Sequence, residues 1–196
     1  MWQTAAELHA ALNDFPAALL VAALVFELLG SALKREALRT AGFWMLIAGV
    51  VGALGAILSG LRAESTIEHG AASHMLMERH ESLAITTGVV FALLALWRVL
   101  RRQRMGPRER PAFLAAAAVG VLLLTYVAHL GGNLVFRFGA GVPTATLEAA
   151  MSDRAAGHEH APGQEHEHGA PVDSAAAAGQ ASGDHSHPPG TPPHQH

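Results

Sequence analysis

The chain has 196 residues, 51% of them apolar and 15% charged, with a formal net charge of −3. That balance excludes nucleic acid, whose phosphates call for a basic partner. Cysteine is absent, which excludes disulfides and thiolate metal sites.

The opening segment "MWQTAAELHAALNDFP" carries no basic residue. A cleavable signal peptide needs a positive n-region, so the first apolar block is expected to be a retained span. A bilayer core about 30 Å thick takes about 20 apolar residues of helix to cross. Four stretches meet that length: Phe15 to Leu33, Ala41 to Leu61, Ser82 to Leu100, and Ala112 to Gly131. Stretches such as "FWMLIAGVVGALGAILSG" lack the polar stripe of a soluble bundle helix. The fold class expected is all-α, a four-helix transmembrane bundle over residues 1–143.

Basic residues set the expected orientation. Lys34, Arg35 and Arg39 lie between spans one and two, and Arg98, Arg101, Arg102, Arg104, Arg108 and Arg110 flank the turn between three and four. The positive-inside rule places both turns in the cytoplasm and both termini outside. Span two has Gly52, Ala56 and Gly60 at four-residue spacing, with Gly49 and Gly55 nearby, a pattern that lets helices approach closely. Glu27 lies within span one, with Ser31 one turn later, and an intramembrane carboxylate is a functional candidate. It is equally placed to be protonated or to reach toward Lys34.

From Thr144 onward the composition turns to Gly, Pro, Ala and His, without aromatic residues. Such a segment buries too little apolar surface to order itself, so residues 144–196 are expected to be a disordered extracytoplasmic tail. Its histidines form four His-x-His pairs: His158 and His160, His166 and His168, His185 and His187, His194 and His196. Neutral imidazoles at that density suit Cu, Zn or Ni. A solubilising low-complexity tail is the plain alternative.

The remaining histidines are His9, His69, His74, His80 and His129, and none falls in a turn expected to be cytoplasmic. His9, His80 and His129 sit at span ends on one membrane face. Three readings compete for them: a haem b between two imidazoles, a copper-type site with His74 and Met77, or interfacial side chains. On a helix His74, Met77 and His80 fan over roughly 120°, which makes a poor self-contained site. Tyr126, His129 and Asn133 share one helical face, so the neighbours are positioned to fix the His129 tautomer.

"LHAALNDFPAALLVAALVFELLG" and "HLGGNLVFRFGAGV" resemble the opening and closing motifs of the bacterial membrane-protein family catalogued as domain of unknown function 2231. "SGLRA" and "RHESLAITT" resemble its second-span end and third-span histidine more loosely. The matching positions are His9, Phe15, Pro16, Glu27, Gly60, His80, Gly131, Gly132, Gly139, Gly141 and Val142. Asp14 stands where relatives often show a second histidine, so no ligand is expected there. Relatives joined to redox domains imply electron transfer, and the resemblance implies a bacterial inner membrane.

The preferred expectation is a haem b electron-transfer or redox-associated subunit, with His80 and His129 as axial ligands. His9 is a substitute or supporting partner, and Tyr126 and Asn133 adjoin the site. Its partners are then the lipid bilayer and a redox protein on the outer side. The alternatives are a Cu, Zn or Ni handling protein that uses the tail, or an accessory subunit binding no cofactor.

Overall fold

The computed structural model describes residues 4–68, 70–101 and 104–157. They form five helices and, among the described residues, no strand: α1 (Ala5–Ala32), α2 (Glu36–Glu64), α3 (Ala71–Leu100), α4 (Glu109–Phe138) and α5 (Thr144–Ala156). The first four are long and apolar enough to cross a membrane. They run beyond the expected spans by several residues, because the polar flanks continue the same helices outside the apolar core. Large apolar side chains cover the outside of the bundle, with Leu100, Leu122 and Phe136 among the exposed residues. In water such a surface would drive aggregation; in a bilayer it is the side that meets lipid.

Local chemistry sets the ends. Thr4 caps α1 by accepting the Glu7 amide at 3.2 Å, and the Glu7 carboxylate accepts the Thr4 amide at 3.4 Å. α4 stops at Gly139, whose φ of 64° is the left-handed conformation that glycine adopts at low cost. Its first successor turn leads to Pro143 and α5, so the first part of the stretch expected to be disordered is helical. Ala, Leu, Glu and Met dominate α5 and favour that conformation. No residue of α5 is buried.

The four long helices pack as a ring, α1 on α2, α2 on α3, α3 on α4 and α4 on α1. α1 and α3 therefore lie across one diagonal. The two hairpins, α1–α2 and α3–α4, repeat one pattern at an offset of 71 residues, the separation of Glu27 from Arg98. On the first and third helices, buried Pro16, Leu20, Ala23 and Glu27 correspond to buried Thr87, Phe91, Leu94 and Arg98. On the second and fourth, buried Gly42, Leu46, Gly49, Ala56 and Ala63 correspond to buried Phe113, Ala117, Gly120, Val127 and Leu134. Every buried position of α2 thus has a buried counterpart on α4.

Glycine placement follows the same repeat. A Cβ added at Gly49 would stand 2.7 Å from Leu20 Cδ2, and one at Gly120 would stand 3.0 Å from Phe91 Cζ. These are counterpart contacts: a large side chain of one helix seats on a bare backbone of its hairpin partner. The small-residue stripe of α2 therefore serves packing within the chain, since Gly49, Gly52 and Gly60 all lie against α1. Gly55 meets nothing within 4 Å.

Gly49→Val should destabilise the bundle by about 1–3 kcal/mol through overpacking against Leu20. Gly55→Ala should leave it unchanged or up to about 1 kcal/mol more stable. Thermal unfolding of the two variants in one detergent checks both outcomes.

Candidate functional site: a cavity with paired histidines

His9 enters α1 in its second turn and His80 lies in the third turn of α3, at equivalent places in the repeat. Both are half-buried and line one cavity of about 640 Å³. The cavity walls are largely apolar, and it reaches along the helices to Leu20 and Phe91, each only 1% exposed.

Each ring is held in the same way. His9 Nδ1 lies 3.0 Å from the Ala56 carbonyl of α2, and His80 Nδ1 lies 3.1 Å from the Val127 carbonyl of α4. The acceptor stands 47 residues beyond the histidine in both cases. A carbonyl only accepts, so Nδ1 must carry the proton and donate. That fixes the neutral ring in the tautomer whose Nε2 holds the lone pair. Neither Nε2 has a hydrogen-bond partner among the described residues. Ser59 Oγ adds a second contact to His9 Nδ1 at 3.2 Å while donating to the Ala56 carbonyl at 2.9 Å.

Two glycines make room for the rings. A Cβ at Gly60 would stand 3.0 Å from His9 Cε1, and one at Gly131 would stand 3.1 Å from His80 Cε1. Each glycine lies one helical turn beyond the carbonyl that receives the Nδ1 proton. One turn of α2 and one turn of α4 thus supply both the acceptor and the space. The result is a pair of oriented, neutral nitrogen donors on one apolar cavity, the arrangement a metal ligand requires of its supporting shell.

Other polar groups lie at the cavity's rim, among them Glu7, Asn13, Asp14, Glu64 and Glu81. The Glu64 and Glu81 carboxyls are within hydrogen-bonding reach of each other. Val142 and Gly141 of the turn before α5 also contribute to the lining, and Thr144 Oγ1 donates to Glu68 at 2.5 Å.

His129 stands elsewhere. It is exposed and does not line the cavity; its Nε2 meets Asn133 Nδ2 at 3.1 Å, and its ring stacks on Tyr126 with centroids 6.5 Å apart. The expected Tyr126, His129 and Asn133 face therefore exists, but on the outside of α4. The structure unites His9 with His80 and separates both from His129. His74 pairs with Glu78 at 3.5 Å, and Met77 is buried in the cavity wall. Among the described residues no group of three or more His, Cys, Asp or Glu side chains is arranged to hold a metal ion. His69 and the tail histidines His158, His160, His166, His168, His185, His187, His194 and His196 lie outside the described residues.

At the other end of the same diagonal, Glu27 meets Arg98 rather than Lys34. The Arg98 guanidinium donates from Nη2 to Glu27 Oε1 and, at 3.4 Å, to the Arg39 carbonyl. It also lies 5.9 Å from the Phe43 ring centroid and 5.7 Å from that of Phe113. Arg110 Nη1 approaches Glu27 Oε2 at 3.8 Å. Sequence reading placed Arg98 at the edge of a turn and missed this partner. The signal was present: Arg98 follows His80 by the same 18 residues that separate Glu27 from His9.

A family described as predicted membrane protein (DUF2231) matches residues 5–144 of the chain. Comparison with curated proteins and comparison with solved structures give no match.

Gly131→Ala should displace the His80 ring and leave that of His9 in place, while Gly60→Ala should do the reverse. NMR of the ¹⁵N-labelled imidazoles checks this, with the δ-protonated tautomer expected for both rings of the parent protein.

Proposed function

The chain belongs to this family of predicted membrane proteins, and we propose that it is a b-type haem carrier for electron transfer, with His9 and His80 as the two axial ligands. The observation that supports this is the pair of tied imidazoles. Each donates from Nδ1 to a backbone carbonyl, so each has Nε2 available on the shared cavity. Two histidines on different transmembrane helices are a recognised way to hold haem iron.

The cavity fits the group in size and polarity. Small-molecule and cofactor sites run from roughly 300 to 1,000 Å³ and are mostly apolar, and this one is about 640 Å³. Two nitrogen donors suffice for a haem, whose macrocycle supplies the other four ligands. Among the described residues no group of three His, Cys, Asp or Glu side chains is arranged for a bare metal ion.

A bound haem b supplies a one-electron couple. The protein's part is to hold both imidazoles in one tautomer, to exclude water with Leu20, Phe91 and the apolar walls, and to keep the site near one membrane face. A redox partner on that face is the natural donor or acceptor.

Protein expressed with ample haem and purified in mild detergent should show a Soret band and stoichiometric haem b. His9→Ala and His80→Ala should each abolish the six-coordinate spectrum, whereas His129→Ala should leave it unchanged. Parent protein without a Soret band would overturn the proposal.

A further inference from the structure

His9 and Glu27 are 18 residues apart on α1, as are His80 and Arg98 on α3. At 3.6 residues per turn that separation is five whole turns, so each histidine shares a helical face with its charged partner about 27 Å away. The two faces look at each other across the diagonal of the ring. One end of this shared line carries the imidazoles, its middle carries Leu20 and Phe91, and its far end carries the ion pair.

We propose that Glu27 and Arg98 are positioning residues for the imidazole pair. Their pairing sets the rotation and axial register of α1 against α3, and that register presents His9 and His80 to one cavity. Apolar packing alone defines this poorly, because α1 and α3 do not pack directly on each other and only Pro16, Leu20 and Ala23 face Thr87, Phe91 and Leu94 between the two polar levels. In lipid the competing registers expose similar apolar surface and differ little in energy. A buried charge pair has only one satisfied arrangement, and its best-attested use is to specify register.

The environment of the pair fits that role. Arg98 is held from three sides, by Glu27 of α1, the Arg39 carbonyl of α2 and the rings of Phe43 and Phe113. Glu27 takes its second cation, Arg110, from α4. All four helices therefore meet at this level. The repeat makes the pairing directional as well, since Glu27 and Arg98 are counterparts. Two copies of the first hairpin would bring Glu27 to Glu27, and two copies of the second would bring Arg98 to Arg98. Only unlike hairpins join.

This inference rests on the haem reading for its consequence and on helix register for its mechanism, so the test reads both. The chain lacks cysteine, so Leu8→Cys and Arg79→Cys, each next to a histidine and exposed, give a clean spin-label pair. Glu27→Gln with Arg98→Met removes both charges without leaving either alone. This double variant should keep helix content and fold, because neutral replacement of a buried pair costs little and Arg110, its side chain 17% exposed, keeps its charge near water. Its distance distribution between positions 8 and 79 should broaden, and its haem should dissociate about tenfold faster. Arg98→Lys should restore a narrow distribution, whereas Arg98→Gln should not, and this contrast decides the matter if the double variant fails to fold. A narrow distribution with parental haem retention in the uncharged variants would overturn the proposal. A parent that binds no haem would remove the reading of the cavity, while the distances would still decide the register claim.

Discussion

Inside a bilayer a polar side chain has only the protein to satisfy it, and this chain obeys that constraint by pairing its polar groups along one diagonal of the bundle. Glu27 with Arg98 forms one level, and His9 with His80 forms the other. Between them lie Leu20 and Phe91, each seated on a glycine of its own hairpin. The polar levels are costly to bury unless the helices hold one register. That cost converts an otherwise featureless apolar bundle into a specific structure.

The repeat explains how one chain makes such a site economically. Each hairpin supplies a histidine, a carbonyl to orient it and a glycine to admit its ring. Equivalent groups from both hairpins face a common cavity, so neither hairpin alone completes the site. At the far end the counterparts Glu27 and Arg98 carry opposite charges and attract. Arg39 and Arg110 remained identical while their surroundings differ: Arg39 bonds the Gly30 carbonyl at 3.1 Å and Glu36 at 3.2 Å, and Arg110 faces Glu27.

The spans were legible in the sequence because length and hydropathy are local properties. Their helices, and the all-α class, follow from blocks such as "FLAAAAVGVLLLTYVAHL". The histidines were legible as candidates, since three of them gather at span ends, but their partners were not. Whether His80 looks toward His9 or His129 depends on rotation about the helix axis and on which helices share a diagonal. Tyr126 and Asn133 surround His129 convincingly in sequence, and they do surround it, on the outer face of α4. Comparing the chain with itself at the 71-residue offset would have singled out His9 with His80 and Glu27 with Arg98. Single-helix periodicity carries no such information.

Two imidazoles, each tied through Nδ1, are proposed to present Nε2 to one haem. Electron paramagnetic resonance of the oxidised, haem-loaded protein at low temperature tests this most directly. A low-spin ferric signal, with a high-spin signal near g = ~6 absent, is the predicted result for two strong nitrogen ligands. A predominantly high-spin signal from the intact protein would mean that at most one histidine reaches the iron, and would contradict the account.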